Sequence, residues 1–264
     1  MAVAMMSCGS TKRVANVQPA GSVGIVAHRG YWNCEAGGGA RNSVAALKAA
    51  QDAGFWGSEC DVNMTTDEVL LVFHDSSLGG NRLDSSPYAT FTSHRLENGE
   101  PIPTLDAFLT QAEQSTGTRL VLEMKAHNTP AKETRAVELA VQALKEHGML
   151  SPDRVIFISF SLHACREFVR RCPGFTVQYL NSDLTAEDIM ANGINGVDLN
   201  EGTYMGDPAR HDDARARGMS INVWTVNDPA RMKDVVATGI DQLTTDEPLK
   251  ARTVLNEMGV KEAK

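Results

Sequence analysis

Two carboxylates one residue apart, Glu59-Cys60-Asp61, stand in a run that reads as a β-strand over 57–62. Residues two apart on a strand point to the same side, so Glu59 and Asp61 share one face and Cys60 takes the other. Two carboxylates aimed into one low-dielectric space repel each other, and they call for a cation, a shared proton or solvent. A hard divalent cation with oxygen ligands is the simplest answer. Glu123-Met124-Lys125 repeats the pattern after the buried-strand run Leu120-Val121-Leu122. There Glu123 can serve as a third carboxylate ligand and Lys125 can hold a phosphate oxygen. The plainer reading is a Glu–Lys ion pair at a strand end.

Two histidines sit at comparable positions. His28-Arg29-Gly30 follows the apolar run Ile25-Val26-Ala27, and His74-Asp75 follows Val69-Leu70-Leu71-Val72-Phe73. Imidazole titrates near neutral pH and suits general acid or base work; Asp75 is placed to orient one. A single histidine in such a place is more often a hydrogen-bonded core or rim group. His94, His147, His163 and His211 read as surface or helix positions, and His127 as a neighbour of the Glu123 strand. Taken together, three carboxylates, two histidines, Arg29 and Lys125 fall at one end of successive strands. That is the makeup of a metal site with an acid–base pair and phosphate-binding cations.

The elements that must position these groups alternate. Strand patterns fall at 24–29, 57–62, 119–125, 155–160, 176–180, 196–200, 220–226 and 242–245. Helix signals lie between most of them: Ser43, Thr104, Thr129, Ser161, Thr185 and Asp228 as openers, with Gly54, Gly148, Gly193 and Gly239 as stops. Strands alternating with helices in a chain of 264 residues predict a (β/α)8 barrel, for which ~250 residues are typical. The apolar run 69–73 follows the turn Thr65-Thr66-Asp67-Glu68 too closely for a crossover, so it must return antiparallel as a hairpin and bring His74 back beside Glu59 and Asp61. Residues 76–102 have little periodicity and read as a loop-like insertion long enough for a substrate cap. The barrel domain spans 21–264, behind a leader of 1–20.

The net charge of −8 and the lack of a basic stripe argue against a nucleic-acid partner. No stretch approaches the ~18 apolar residues of a membrane span. Five cysteines without a C-x-x-C pair indicate neither a zinc framework nor a disulfide scaffold. Near the start, apolar residues 2–6 run into Ser7-Cys8-Gly9 and then Ser10-Thr11-Lys12-Arg13. This resembles the end of a bacterial lipoprotein signal, in which the cysteine is lipidated, but no basic region precedes it and the apolar run is shorter than usual. Two expectations follow: a protein of the cell envelope, periplasmic or anchored through Cys8, or a cytoplasmic one with a disordered leader.

The ordered set His28-Arg29-Gly30, Asn42-Ser43, Glu59-Cys60-Asp61-Val62, Phe73-His74-Asp75, Ile102-Pro103-Thr104-Leu105 and Leu122-Glu123-Met124-Lys125 resembles the signature of glycerophosphodiester phosphodiesterases. The similarity continues through Ser159-Phe160, Val223-Trp224-Thr225-Val226-Asn227, Gly239-Ile240-Asp241 and Thr245-Asp246-Glu247-Pro248, and covers about residues 24–249. It implies one divalent cation, Ca2+ or Mg2+, on Glu59, Asp61 and Glu123. It implies His28 and His74 as the acid–base pair, Arg29 and Lys125 near the phosphate of a small-molecule diester, and Trp224 lining the pocket for the glycerol or alcohol moiety. Two departures stand out. The family usually has Pro-Glu-Asn before the first helix, and here Ala40-Arg41-Asn42 stands there, so Arg41 replaces a carboxylate and can add a phosphate contact or alter substrate choice. The usual Leu-Asp-Arg-Thr-Thr after the His-Asp pair is replaced by Leu78-Gly79-Gly80-Asn81-Arg82.

The expected reaction is hydrolysis to glycerol 3-phosphate and an alcohol, with water or the neighbouring glycerol hydroxyl as nucleophile. Two other readings remain at this stage. One is a phospholipase-D-like enzyme that acts on lysolipids or sphingolipids and forms a cyclic phosphate. The other, motivated by Arg41, is a phosphate- or sugar-binding barrel without catalysis.

Overall fold

The computed structural model describes residues 21–264; the leader and Cys8 lie outside them. Strand β1 (Ser22–Ala27) leads into helix α1 (Val44–Asp52), followed by β2 (Gly57–Met64) and β3 (Leu70–Val72). Two short strands, β4 (Ser77–Leu78) and β5 (Asn81–Arg82), form a separate ribbon. The chain then alternates regularly: α2 (Leu105–Ala112), β6 (Arg119–Met124), α3 (Pro130–Glu146), β7 (Val155–Ser159), α4 (Leu162–Arg171), β8 (Thr176–Tyr179) and α5 (Ala186–Ala191). After β9 (Gly196–Asn200) come two helices, α6 (Glu201–Gly206) and α7 (Pro208–Ala216). Strand β10 (Ser220–Trp224), α8 (Pro229–Ala237), β11 (Gln242–Thr245), α9 (Pro248–Met258) and β12 (Lys261–Glu262) complete the chain.

Eight parallel strands close into a barrel in the order β1-β11-β10-β9-β8-β7-β6-β2, with β1 pairing back onto β2. This is the (β/α)8 barrel that the alternation predicts. Period two sorts the side chains. On β6, Leu120, Leu122 and Met124 join the large core between barrel and helices, while Val121 belongs to a second cluster inside the barrel with Val26, Trp56, Ile156 and Ile158. Trp56 is buried at the strand-start end of the barrel interior, and Gly24 makes room for it: a Cβ there would lie 2.6 Å from the indole. The helices start where side-chain oxygens can take up free N–H groups, with Ser43, Thr104, Thr129, Ser161, Thr185 and Asp228 each accepting from the first turn.

The hairpin behaves as expected. Strand β3 pairs antiparallel to β2, Val62 opposite Val72, and Phe73 N–H donates to the Asp61 carbonyl at 2.9 Å. Residues 76–102 are more ordered than the loop-like reading anticipates. They hold the β4–β5 ribbon and two 3-10 turns, and they build a small core in which Leu83, Phe91, Leu96 and Ile102 pack on Leu71 and Ala40. Helices α6 and α7 are additions to the sequence reading. His211 falls on a helix, α7, and there it is buried and stacked on Tyr204, ring centroids 4.5 Å apart. Cys34, Cys60, Cys165 and Cys172 are free thiols. No helix among the described residues is long and apolar enough to cross a membrane.

Candidate active site

The C-terminal ends of the strands surround a cavity of about 140 Å³. Its wall carries His28, Arg29, Glu59, His74, Glu123 and Lys125 on one side. Apolar Ile158, Phe160, Leu180 and Trp224 face them, with Asp198 and Thr244 completing the lining. None of these residues belongs to 76–102; that segment packs on the flank of the β2–β3 hairpin.

The carboxylates converge. Glu59, Asp61 and Glu123 can each place one oxygen within 4.8 Å of the others, and they are only 3 %, 1 % and 7 % exposed. Register explains this, because β2 and β6 pair in parallel with Asp61 level with Glu123. Lys125 Nζ lies 3.1 Å from Asp61 and 2.8 Å from Glu123, and Arg29 Nε is 3.5 Å from Asp61. Glu59 accepts from the Arg29 backbone N–H at 2.8 Å, a bond made available because Arg29 turns at φ +56°. Asn42, also left-handed at φ +58°, clamps Asp61 twice: its amide donates to the carboxylate at 2.8 Å and accepts from the Asp61 N–H at 3.1 Å.

Charge crowding shows in the protonation preferences. Burial, then repulsion from Asp61 and Glu123, pushes the Glu59 carboxyl well above the usual range. Burial and then Asp61 push Glu123 up to about 7. Burial would raise Asp61 too, but Lys125, His74, the Asn42 amide and Arg29 hold it below its ordinary value. Burial would lower Lys125, and Asp61 and Glu123 more than offset it. A hard cation fits this donor set. Three buried carboxylates offer oxygen atoms alone, and the cationic side chains paired with them in the structure, Lys125 and Arg29, are too few to balance them.

Both histidines are oriented by carboxylates. His28 Nδ1 is 2.8 Å from Asp246 Oδ1, and His74 Nδ1 is 2.7 Å from Asp75 Oδ1. An ionised carboxylate only accepts, so each Nδ1 carries the proton and each Nε2 is the free atom. Burial would raise Asp246, yet hydrogen bonds from His28, Asn227 and Trp32, together with the His28 charge, bring it to about 2. Burial lowers His74, with Asp61 and Asp75 offsetting part of the effect.

Of the residues singled out from sequence, His28, Arg29, Glu59, His74, Glu123, Lys125 and Trp224 line the cavity, and Asp61, Asn42 and Asp75 stand directly behind them. Arg41 is not among the residues that line this cavity; its guanidinium stacks over Trp32 at 3.8 Å, and Trp32 donates to Asp246, the partner of His28, at 3.2 Å. His127 turns away from the site and accepts the Met64 N–H through Nε2 at 3.0 Å. Sequence reasoning gave no role to Asp246 or Asp198. Both were within reach of its own rules, since Asp246 directly follows the last barrel strand and Asp198 alternates with the outward-facing Val197 and Leu199.

The model of the glycerophosphoryl diester phosphodiesterase family matches residues 28–250. The chain belongs to this family. A crystal structure of a glycerophosphodiester phosphodiesterase from Parabacteroides distasonis superposes with a TM-score of 0.86 at 37% identity, covering 90% of this chain and 98% of that one. The structure of an Oleispira antarctica phosphodiesterase in complex with the product sn-glycerol-3-phosphate shares the fold, with a TM-score of 0.75 at 23% identity over 88% and 96% of the two chains. Among curated family relatives, a glycerophosphodiester phosphodiesterase of Caldanaerobacter subterraneus is 24% identical over 238 residues, 85% of this chain and 94% of its own.

Proposed function

We propose that this member of the family hydrolyses glycerophosphodiesters to glycerol 3-phosphate and an alcohol, using one divalent cation, Ca2+ or Mg2+, and two histidines. The observation that carries this reading is the convergence of Glu59, Asp61 and Glu123 within 4.8 Å in a cavity that His28 and His74 also line. Family membership and the product held by the Oleispira relative support the choice of substrate.

Glu59, Asp61 and Glu123 would hold the cation, which supplies Lewis-acid neutralisation of phosphate charge. Lys125 and Arg29 line the same wall and pair with phosphate oxygens. One imidazole takes a proton at Nε2 from the nucleophile, either water or the neighbouring glycerol hydroxyl. The other starts as an imidazolium, protonated at both nitrogens, and gives its Nε2 proton to the departing alkoxide, so the pair ends one turnover with its protonation states exchanged. Asp246 and Asp75 fix the rings and stabilise the positive charge each acquires. The apolar wall of Ile158, Phe160, Leu180 and Trp224 excludes water and takes the organic part of the substrate.

The test is a panel of glycerophosphodiesters assayed with Mg2+, with Ca2+ and with chelator, beside His28→Ala and His74→Ala. General acid–base catalysis contributes roughly 10²–10⁴-fold, so each variant should lose activity on that order. Near-wild-type turnover by either variant, or undiminished activity in chelator, overturns the reading. Phosphorus NMR of the products separates direct hydrolysis from a cyclic intermediate.

A further inference from the structure

We propose that Asp198 recognises a hydroxyl group on the glycerol arm of the substrate and so acts as a specificity-determining residue, a role that rests on the glycerophosphodiester reading above.

Asp198 sits inside the barrel on β9 and contributes to the cavity wall between Glu123 and Trp224. It is only 2 % exposed, and its Oδ1 has no hydrogen-bond partner among the described residues. The groups around it are committed elsewhere. Trp224 donates its indole N–H to the Asp198 backbone carbonyl at 3.2 Å, not to the carboxyl. Asn222, which does reach the carboxyl, also exchanges hydrogen bonds with Thr244 at 2.9 and 3.0 Å. No ion pair involving Asp198 is found among the described residues. A buried polar atom left without a partner is costly, and a purely structural carboxyl would be expected to have both oxygens engaged.

The chemistry of the missing partner is restricted. A hydroxyl satisfies Asp198 whether the carboxyl is ionised and accepts or is neutral and donates. A methyl or methylene offers nothing. A phosphate oxygen is repelled by the ionised form. A trimethylammonium group brings charge but no hydrogen bond. Water can fill the role while the cavity is open, and an arm that displaces it must supply an equivalent bond or lose affinity.

Position identifies the arm. Asp198, Glu59 and Glu123 line the same small chamber, so the group it meets is attached close to phosphorus. The glycerol arm is the constant part of this substrate class. The leaving alcohol varies and needs room, which exists past Phe160, Leu180 and Trp224, where a more open cavity of about 200 Å³ runs on to Asn181, Asn200 and Thr203.

The test measures by calorimetry the affinity for sn-glycerol 3-phosphate and for propyl phosphate in the wild type, Asp198→Leu, Asp198→Ala and Asp198→Asn. Binding decides, because a diester whose arm lacks the hydroxyl cannot react at all where that hydroxyl is the nucleophile; kcat/KM for glycerophosphocholine and for the analogue with propyl in place of glycerol gives a parallel readout. A site built to bond a hydroxyl rejects the analogue lacking it strongly, and we expect a preference of about 100-fold or more in the wild type. It should fall to within about threefold in Asp198→Leu and Asp198→Ala and be partly restored in Asp198→Asn. A wild type that treats both compounds alike overturns the proposal, as does either apolar variant that folds and keeps the full preference. Should the wild type hydrolyse neither diester yet bind sn-glycerol 3-phosphate preferentially through Asp198, the activity reading falls and this one stands.

Discussion

His28 and Asp246 are 218 residues apart in the chain, yet Nδ1 of one lies 2.8 Å from the carboxylate of the other. The pair joins the end of the first barrel strand to the end of the last, so this imidazole is oriented only when the barrel is closed. Asp246 touches no reacting atom in this reading; it acts through His28. Asp246→Ala should lower kcat about 10–100-fold, the range for loss of an orienting partner, with a smaller change in KM. Steady-state kinetics beside His28→Ala checks it, and the two losses should not add.

Cation binding should be visible as stability. A ligand that binds only the folded state at 100 times its Kd contributes about 2.7 kcal/mol. Thermal melts with and without Mg2+ or Ca2+ should show that increment in the wild type and its loss in Glu59→Gln. Because Glu59 is 3 % exposed and crowded by two carboxylates, the metal-free variant should melt no lower than the metal-free wild type.

Asn42 is the hinge between α1 and the carboxylate cluster. Replacing it with alanine removes both bonds to Asp61 and places a residue that disfavours φ +58° there. A cost of about 2–4 kcal/mol in urea unfolding is expected, with weaker cation affinity, from the buried Asp61 N–H left without its acceptor, the lost bond to Asp61 Oδ2 and the strained backbone.

In the helix layer, Phe157 stacks on Phe168 with ring centroids 4.0 Å apart and meets Phe175 at 5.5 Å. Phe157→Ala should cost about 3–5 kcal/mol by the cavity it leaves, measured by denaturant unfolding, with Ile158 on the other face of β7 still lining the active-site cavity.

His147 predicts a pH dependence. It caps α3 and bonds Asp106 at 3.0 Å and Glu113 at 2.8 Å, bridging to α2. Those hydrogen bonds, Asp106 first, raise its pKa above the ordinary value. A raised folded-state value means stabilisation that is fully present below about pH 6.5 and disappears as pH rises through the folded pKa. The stability difference between wild type and His147→Asn should therefore be larger at about pH 6 than at about pH 9. A difference that grows toward high pH would show that the sign is wrong.

The barrel was legible because its strands carry dense apolar runs bounded by caps and glycines, and the carboxylates because period two places Glu59, Asp61 and Glu123 on the inner face. The hairpin at β3 followed from loop length alone. Other parts left weaker marks. Helix α6 contains two glycines, and α7 is strongly charged with only His211 and Ala214 buried, so no apolar stripe announces either. The core of 76–102 depends on Leu71 and Ala40 from outside the segment, a pairing that no local window displays. The place of Arg41 in its motif does not show that its guanidinium stacks over Trp32, a contact that only the tertiary structure makes.

Strand β12 lies alongside the beginning of β1, with Lys261 donating to the Gly21 carbonyl at 3.0 Å and Ala263 to the Val23 carbonyl at 2.9 Å. The polypeptide thus enters and leaves the barrel on the side remote from the strand ends that carry the carboxylates. A resin or fusion partner attached at Lys264 would therefore sit away from the mouth and leave it open to bulky diesters.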